Sequence, residues 1–267
     1  MGLKSEDFEV VSDGVARPIE HFSSADQSIA LVLLVDVSAS NPVPLGVLEK
    51  AADQALLQPR IPPDLVRVGG LARQLTLSPR FTTDRAELRR AARVVLAARD
   101  ADRIGPSPLW DGVQTAVEAL ELEWRRRAIV MVTDGRATGN VHGMAYVMGH
   151  AIAASVLINI VAVPTGMFLP QDGMTAARVR PPALLEEMAG ATGGAYAEIG
   201  SVGDVAPYLV RSISRLHQMY VLGFPPVVLD GLSHGLGVRV KRAGVRVRAK
   251  TGYVADLPRQ IPPGPCP

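Results

Sequence analysis

Residues 30–40, ALVLLVDVSAS, combine an uninterrupted apolar run, Ala30 to Val35, with an abrupt polar stop at Asp36. The length and branching of the run suit a strand buried on both faces of a parallel sheet. A second apolar run, AIVMV at 128–132, stops in the same way at Thr133-Asp134-Gly135. Ligands of open α/β sheets gather outside the carboxyl ends of strands, above all where the strand order reverses. Two apolar strands ending in aspartate therefore mark the fold class and a candidate site together.

Working outward, helical spacing at 45–57, 84–98, 109–122, 142–154, 181–190 and 204–216 alternates with strands at 65–71, 74–77, 156–163 and 195–199. This alternation predicts a doubly wound α/β domain with a mostly parallel sheet and helices on both faces. A turn is expected at Arg73. Residues 7–22, DFEVVSDGVARPIEHF, hold two extended stretches around Asp13-Gly14, a two-residue hairpin signal. From Gln218 the pattern shortens to QMYVLGF, GLGVRVKR and GVRVRAK, which read as antiparallel strands. The expected organisation is an N-terminal hairpin over 1–27 packed with C-terminal strands over 218–255. The α/β domain spans 28–217, and a Pro-rich flexible tail occupies 256–267.

Composition excludes several classes. Of 267 residues, 48% are hydrophobic, ample for a core, but only 4% are aromatic, too few for base-stacking platforms. A net charge of +2 is far from the concentrated positive charge that nucleic acids demand, so no nucleic-acid partner is expected. The single cysteine, Cys266, lies in the tail and can form neither an internal disulfide nor a Cys-based metal site. The N-terminal MGLKSEDFEV has no apolar signal core, and no apolar run nears the ~20 residues needed to span a bilayer. A soluble chain without an export signal or membrane insertion is expected.

Asp36-Val37-Ser38-Ala39-Ser40 places a carboxylate and two hydroxyls at two-residue steps in a turning loop. Asp134 adds a carboxylate, and Ser107, in the turn Gly105-Pro106-Ser107-Pro108, can add a third hydroxyl. All five are hard oxygen donors with no His or Cys among them, which fits Mg²⁺, Mn²⁺ or Ca²⁺ better than zinc. Each piece alone has a plainer reading. Ser38 or Ser40 could cap a helix, Ser107 could be an N-cap, and Thr133-Asp134-Gly135 could be a turn. Trp110 reads as packing, Asp111 as a helix-start or supporting acceptor, and Gly193-Gly194 as a helix C-cap. Arg125-Arg126-Arg127 reads as the solvated end of a helix.

Catalytic motifs are missing. No GxxxxGK[ST] or GxSxG motif occurs, and an aspartyl-phosphate enzyme would want an acid where Ser38 stands. The five histidines have no ligand spacing; His142 and His150 alone fall near the rim of the candidate site. Metal-assisted hydrolysis ranks below binding because both carboxylates are taken by the ion and no general base remains.

Asp36-x-Ser38-x-Ser40, Ser107 within GPSPLWDG and Thr133-Asp134-Gly135, in this order, resemble the von Willebrand factor type A domain over residues 28–216. The flanks RRAIV at 126–130, Thr192-Gly193-Gly194, YVLGF at 220–224 with Pro226, and 238–253 resemble the bacterial "VWFA-related" subgroup. The resemblance implies a metal-ion-dependent adhesion site (MIDAS) held directly or through water by Asp36, Ser38, Ser40, Ser107 and Asp134. It also implies a partner protein whose Asp or Glu carboxylate completes the ion, and no enzymatic activity. Ser107 stands where the family usually has threonine. Many members of the subgroup are exported, so this chain is either cytoplasmic or secreted with its N-terminus truncated. The alternative function is a structural or assembly subunit with a degenerate metal site, binding through its terminal β addition.

Overall fold

A computed structural model describes residues 2–24, 27–56, 58, 63–97, 103–165 and 181–255. Cys266 and the Pro-rich tail lie outside them. The central sheet contains β4 (Ile29–Asp36), β5 (Leu65–Leu71), β6 (Leu75–Leu77), β7 (Arg126–Thr133), β8 (Val156–Ala162) and β9 (Tyr196–Glu198). Their spatial order is β6-β5-β4-β7-β8-β9, parallel throughout except for the antiparallel edge strand β6. The chain builds outward from β4 in one direction and then restarts with β7 on its other side. The order therefore reverses between β4 and β7, the two strands whose apolar runs end in aspartate.

Alternate residues of β4 feed two cores. Ile29, Leu31, Leu33 and Val35 pack with helices α1 (Leu45–Leu56), α2 (Arg85–Leu96) and α6 (Val205–His217). Ala30, Val32 and Leu34 face α3 (Leu109–Glu121), α4 (Met144–Ala153) and α5 (Ala183–Ala191). With both faces covered, no polar residue is tolerated along the strand until it ends, which explains the continuous apolar run. Local signals set the helix ends. Asp84 caps α2 by accepting from the Ala86 and Glu87 amides, and Gly193, at φ +80°, turns the chain after α5. Gly70 is required by packing, because a Cβ there would run into the Val95 carbonyl of α2.

A separate antiparallel sheet has the order β12-β11-β1-β2, formed by β1 (Phe8–Ser12), β2 (Val15–Arg17), β11 (Ser233–Val240) and β12 (Gly252–Val254). Asp13-Gly14 makes the expected hairpin, with Ser12 opposite Val15. Its second arm is shorter than the sequence suggests. Pro18 offers no amide to the ladder, and His21–Ser23 (β3) instead pairs with Val221–Gly223 (β10). Two further expectations need correction. The segment 244–250 forms no strand, only an isolated bridge between Lys250 and Thr192. Arg126 and Arg127 belong to β7, not to a helix end, since α3 stops at Glu121. Their guanidinium groups donate to the carbonyls of Leu216 and of Glu123 and Ala154, closing helix C-termini from the strand side. No described helix is long and apolar enough to cross a membrane.

Candidate metal centre

Asp36 ends β4 and is buried. Its Oδ1 accepts from the Ser38 amide (3.0 Å) and the Ser38 hydroxyl (2.6 Å), and Ser38 Oγ lies 3.0 Å from Ser40 Oγ. The loop is fixed beneath them by Asn41, whose Nδ2 donates to the Asp36 carbonyl at 2.7 Å. Arg103 Nε also donates, to the Val37 carbonyl. The helix-cap reading of these serines is wrong: α1 begins only at Leu45, and the Ser38 hydroxyl turns back to the carboxylate.

Thr133, the last residue of β7, donates its hydroxyl to Asp36 Oδ2 at 2.7 Å, joining the two strand ends. Next along the chain, Asp134 is buried. Its Oδ1 accepts from the Arg136 amide, whereas Oδ2 has no hydrogen-bond partner. Burial, and secondly the negative charge of Asp134, push the Asp36 carboxyl up to about 6. The two acids thus share one desolvated site.

Ser107 joins through its backbone. Its amide donates to Thr138 Oγ1 (2.9 Å) and its carbonyl accepts from the Thr138 amide (2.8 Å), tying the turn before α3 to the loop that starts at Asp134. The same loop is clamped to α3 by Asn140, which accepts from the Trp110 amide, and by Asp111, which accepts from the Val141 and His142 amides. The Ser107 hydroxyl is buried and has no partner; the N-cap position belongs to Pro108, so Ser107 does not cap the helix. His142 is held by Asp111 at 2.8 Å, and His150 by Gln114 and Glu121.

Asp36, Ser38 and Ser40 are thus linked by hydrogen bonds, Asp134 reaches them electrostatically, and Ser107 is held against the Asp134 loop. The sequence reading missed Thr133, Asn41, Thr138 and Asn140 as positioning residues. Thr133 had a signal, a hydroxyl at the end of an apolar strand, but the other three act across the fold and had none. Among the described residues no three His, Cys, Asp or Glu side chains cluster as a metal site; the donor set here is two carboxylates and three hydroxyls.

No protein-family profile and no curated protein sequence matches the chain. Solved structures do. An aerotolerance-related membrane protein of Bacteroides fragilis, in a variant with multiple mutations to serines, aligns at TM-score 0.54 and 16% identity. The alignment covers 70% of this chain and 100% of that one. A von Willebrand factor type A protein of Catenulispora acidiphila aligns at TM-score 0.56 and 14% identity, over 76% and 48% of the two chains. Proximal thread matrix protein 1 of the mussel byssus, with a zinc-occupied MIDAS motif, aligns at 0.52 and 11%, over 71% and 48%. At these identities the likeness is one of fold, and the fold is of the von Willebrand factor A type.

Proposed function

We propose that the chain is a protein-binding module whose site, formed by Asp36, Ser38, Ser40, Ser107 and Asp134, holds one divalent cation. The carrying observation is a pair of buried oxygens without partners, Ser107 Oγ and Asp134 Oδ2, beside a carboxylate destabilised first by burial and then by its neighbour's charge. Buried polar atoms are almost always satisfied, and two desolvated acids are unfavourable without a counter-charge. A cation between them answers both deficits, and hard oxygen donors suit Mg²⁺, Mn²⁺ or Ca²⁺. The zinc in the mussel protein's motif makes Zn²⁺ a necessary fourth arm of any metal comparison.

A cation held by these residues would supply a positive centre, which fits a partner presenting an Asp or Glu side chain. Thr133 and the Ser38 amide orient Asp36, the Arg136 amide orients Asp134, and the Thr138 pair holds Ser107 in place. As a binding module the chain catalyses no reaction; His142, in the loop that follows Asp134, is engaged by Asp111.

The test begins with protein stripped by chelator. For a dissociation constant of order 10⁻⁴ M, ~10 mM Mg²⁺ adds about 2.7 kcal/mol, a melting shift of roughly 5–10 °C. A shift under about one degree with each of the four ions refutes the site on the same scale. For the partner, a ligand captured in Mg²⁺ is compared with its version carrying Asn or Gln at the key acid. Equal binding of the two, or binding unchanged in chelator, favours an assembly subunit that binds through its terminal β-sheet.

A further inference from the structure

At the opposite, amino end of the central sheet lies a cleft of about 840 Å³, within the range of small-molecule pockets. One wall is the inner face of β11, where Leu236, Val238 and Val240 stay only half-buried while the residues between them face outward. Facing it are the starts of β7 and β8 and the end of α6 with Arg215. The segment 245–250 completes the lining.

The lining is unbalanced in charge. Arg126, Arg215, Arg246, Arg248 and Lys250 all contribute to it, and among the described residues no carboxylate does. Among the described residues Arg215, Arg246, Arg248 and Lys250 make no ion pair. Arg215 is weakened as a base by burial and then by the positive charges of Arg211 and Arg248. Lys250, whose Nζ donates to Ser155 Oγ at 2.8 Å, is weakened by burial. Arg215, Arg246 and Arg248 are exposed cations without an ion pair among the described residues, and beside the half-buried apolar face of β11 they suit an anion that carries an apolar body. A polar anion would leave the β11 face uncovered, and a neutral hydrocarbon would leave the cations unanswered.

We propose that this cleft binds a long-chain carboxylate, its chain along Leu236, Val238 and Val240 and its head group at Arg215 and Arg248. From 236 to 240 the strand advances about 13 Å, the reach of an extended chain of about ten carbons. Guanidinium groups favour carboxylates through planar, charge-assisted hydrogen bonds. The site is remote from the metal centre, and its test is independent of the metal reading.

The experiment is calorimetric titration of the full chain in chelator with dodecanoate, dodecanol and dodecyltrimethylammonium, all below micelle-forming concentrations. One dodecanoate per chain is expected, bound at least about tenfold more tightly than the alcohol, with no binding of the cation. Arg248→Glu should weaken dodecanoate by about tenfold or more and leave dodecanol within about twofold. Arg215→Gln, on a different element, should act in the same direction, so the result does not depend on one variant folding. Val238→Asp should weaken both ligands. The proposal is overturned if dodecanoate gives no saturable heat, binds no better than the alcohol, or is unaffected by both arginine variants. A peptide of alternating acidic and apolar residues that binds where dodecanoate does not would also overturn it and reassign the cleft to a protein partner.

Discussion

The two ends of the central sheet carry opposite charge problems. At the carboxyl end Asp36 and Asp134 are buried together, with oxygens of Asp134 and Ser107 left unpaired. At the amino end arginines gather: Arg126 and Arg127 close helix carbonyls, and Arg215 and Arg248 line a cleft without acids. The polarity of a parallel α/β sheet underlies the difference. Helix N-termini, with free amides and positive dipole ends, cluster at the carboxyl ends of strands, and helix C-termini cluster at the other. Acids are therefore tolerated at one end and cations at the other. What the fold gathers differs in kind: buried negative charge at one end and positive charge at the other.

The largest effect that would break this contrast is loss of the metal response. Asp36→Ala or Asp134→Ala should abolish the melting shift of roughly 5–10 °C expected at ~10 mM Mg²⁺ while the domain stays folded in chelator, because relief of the repulsion between the two acids offsets part of the hydrogen bonds lost. Thermal melts with and without Mg²⁺ decide it; a variant that still responds to the ion excludes its residue from the site.

Next in size is a pH effect confined to the carboxyl end. Folding raises the Asp36 carboxyl from 3.8 to about 6, so the metal-free folded state holds a proton that the unfolded state has released. The contribution to stability is full below pH ~4 and is lost as pH rises through ~6, a change on the order of 2–3 kcal/mol. Melts in chelator across this window should show stability falling with rising pH, and Asp36→Asn should remove that part of the slope. Mg²⁺ should reverse the trend, because ion and proton compete for the same carboxylate. An unchanged slope in Asp36→Asn would assign the titration to another group.

At the amino end, Arg127→Ala leaves the carbonyls of Glu123 and Ala154 without their donor, which should cost about 1–3 kcal/mol. Urea denaturation measures this loss. The Mg²⁺ increment should stay the same, since the two ends are energetically separate; a reduced increment would show that they are coupled.

The smallest expected effect is that of Ser107→Thr. It keeps the hydroxyl and adds one methyl, so Mg²⁺ affinity and partner binding should be preserved or tightened, by less than about tenfold. Mg²⁺ titration of both forms tests this. A loss beyond that would show that the buried pocket around Ser107 has no room for the methyl group.

The fold class was legible because β4 and β7 are buried on both faces. Burial forces an unbroken apolar run, and the length and β-branching of that run are visible in the sequence. Exposed edges carry no such constraint. GVRVRAK alternates like a strand yet forms no ladder, and Arg126-Arg127 reads like a helix end although both begin a strand. Propensity is a weak guide where neither face is packed.

The alternation of elements and the five candidate oxygens follow from local chemistry: apolar patterning, and acids and hydroxyls placed where strands stop. How those oxygens are held follows from contacts between distant segments. Thr133 bonds Asp36 across 97 positions, Thr138 holds Ser107 across 31, and α1 begins too late for Ser38 or Ser40 to cap it. The same holds for the amino-end cleft, whose walls come from β11, α6 and the segment 245–250. Hydrogen bonds and charge imbalances between residues distant in sequence depend on which strand ends become neighbours, and strand order is set by the packing of the whole sheet, not by any one segment.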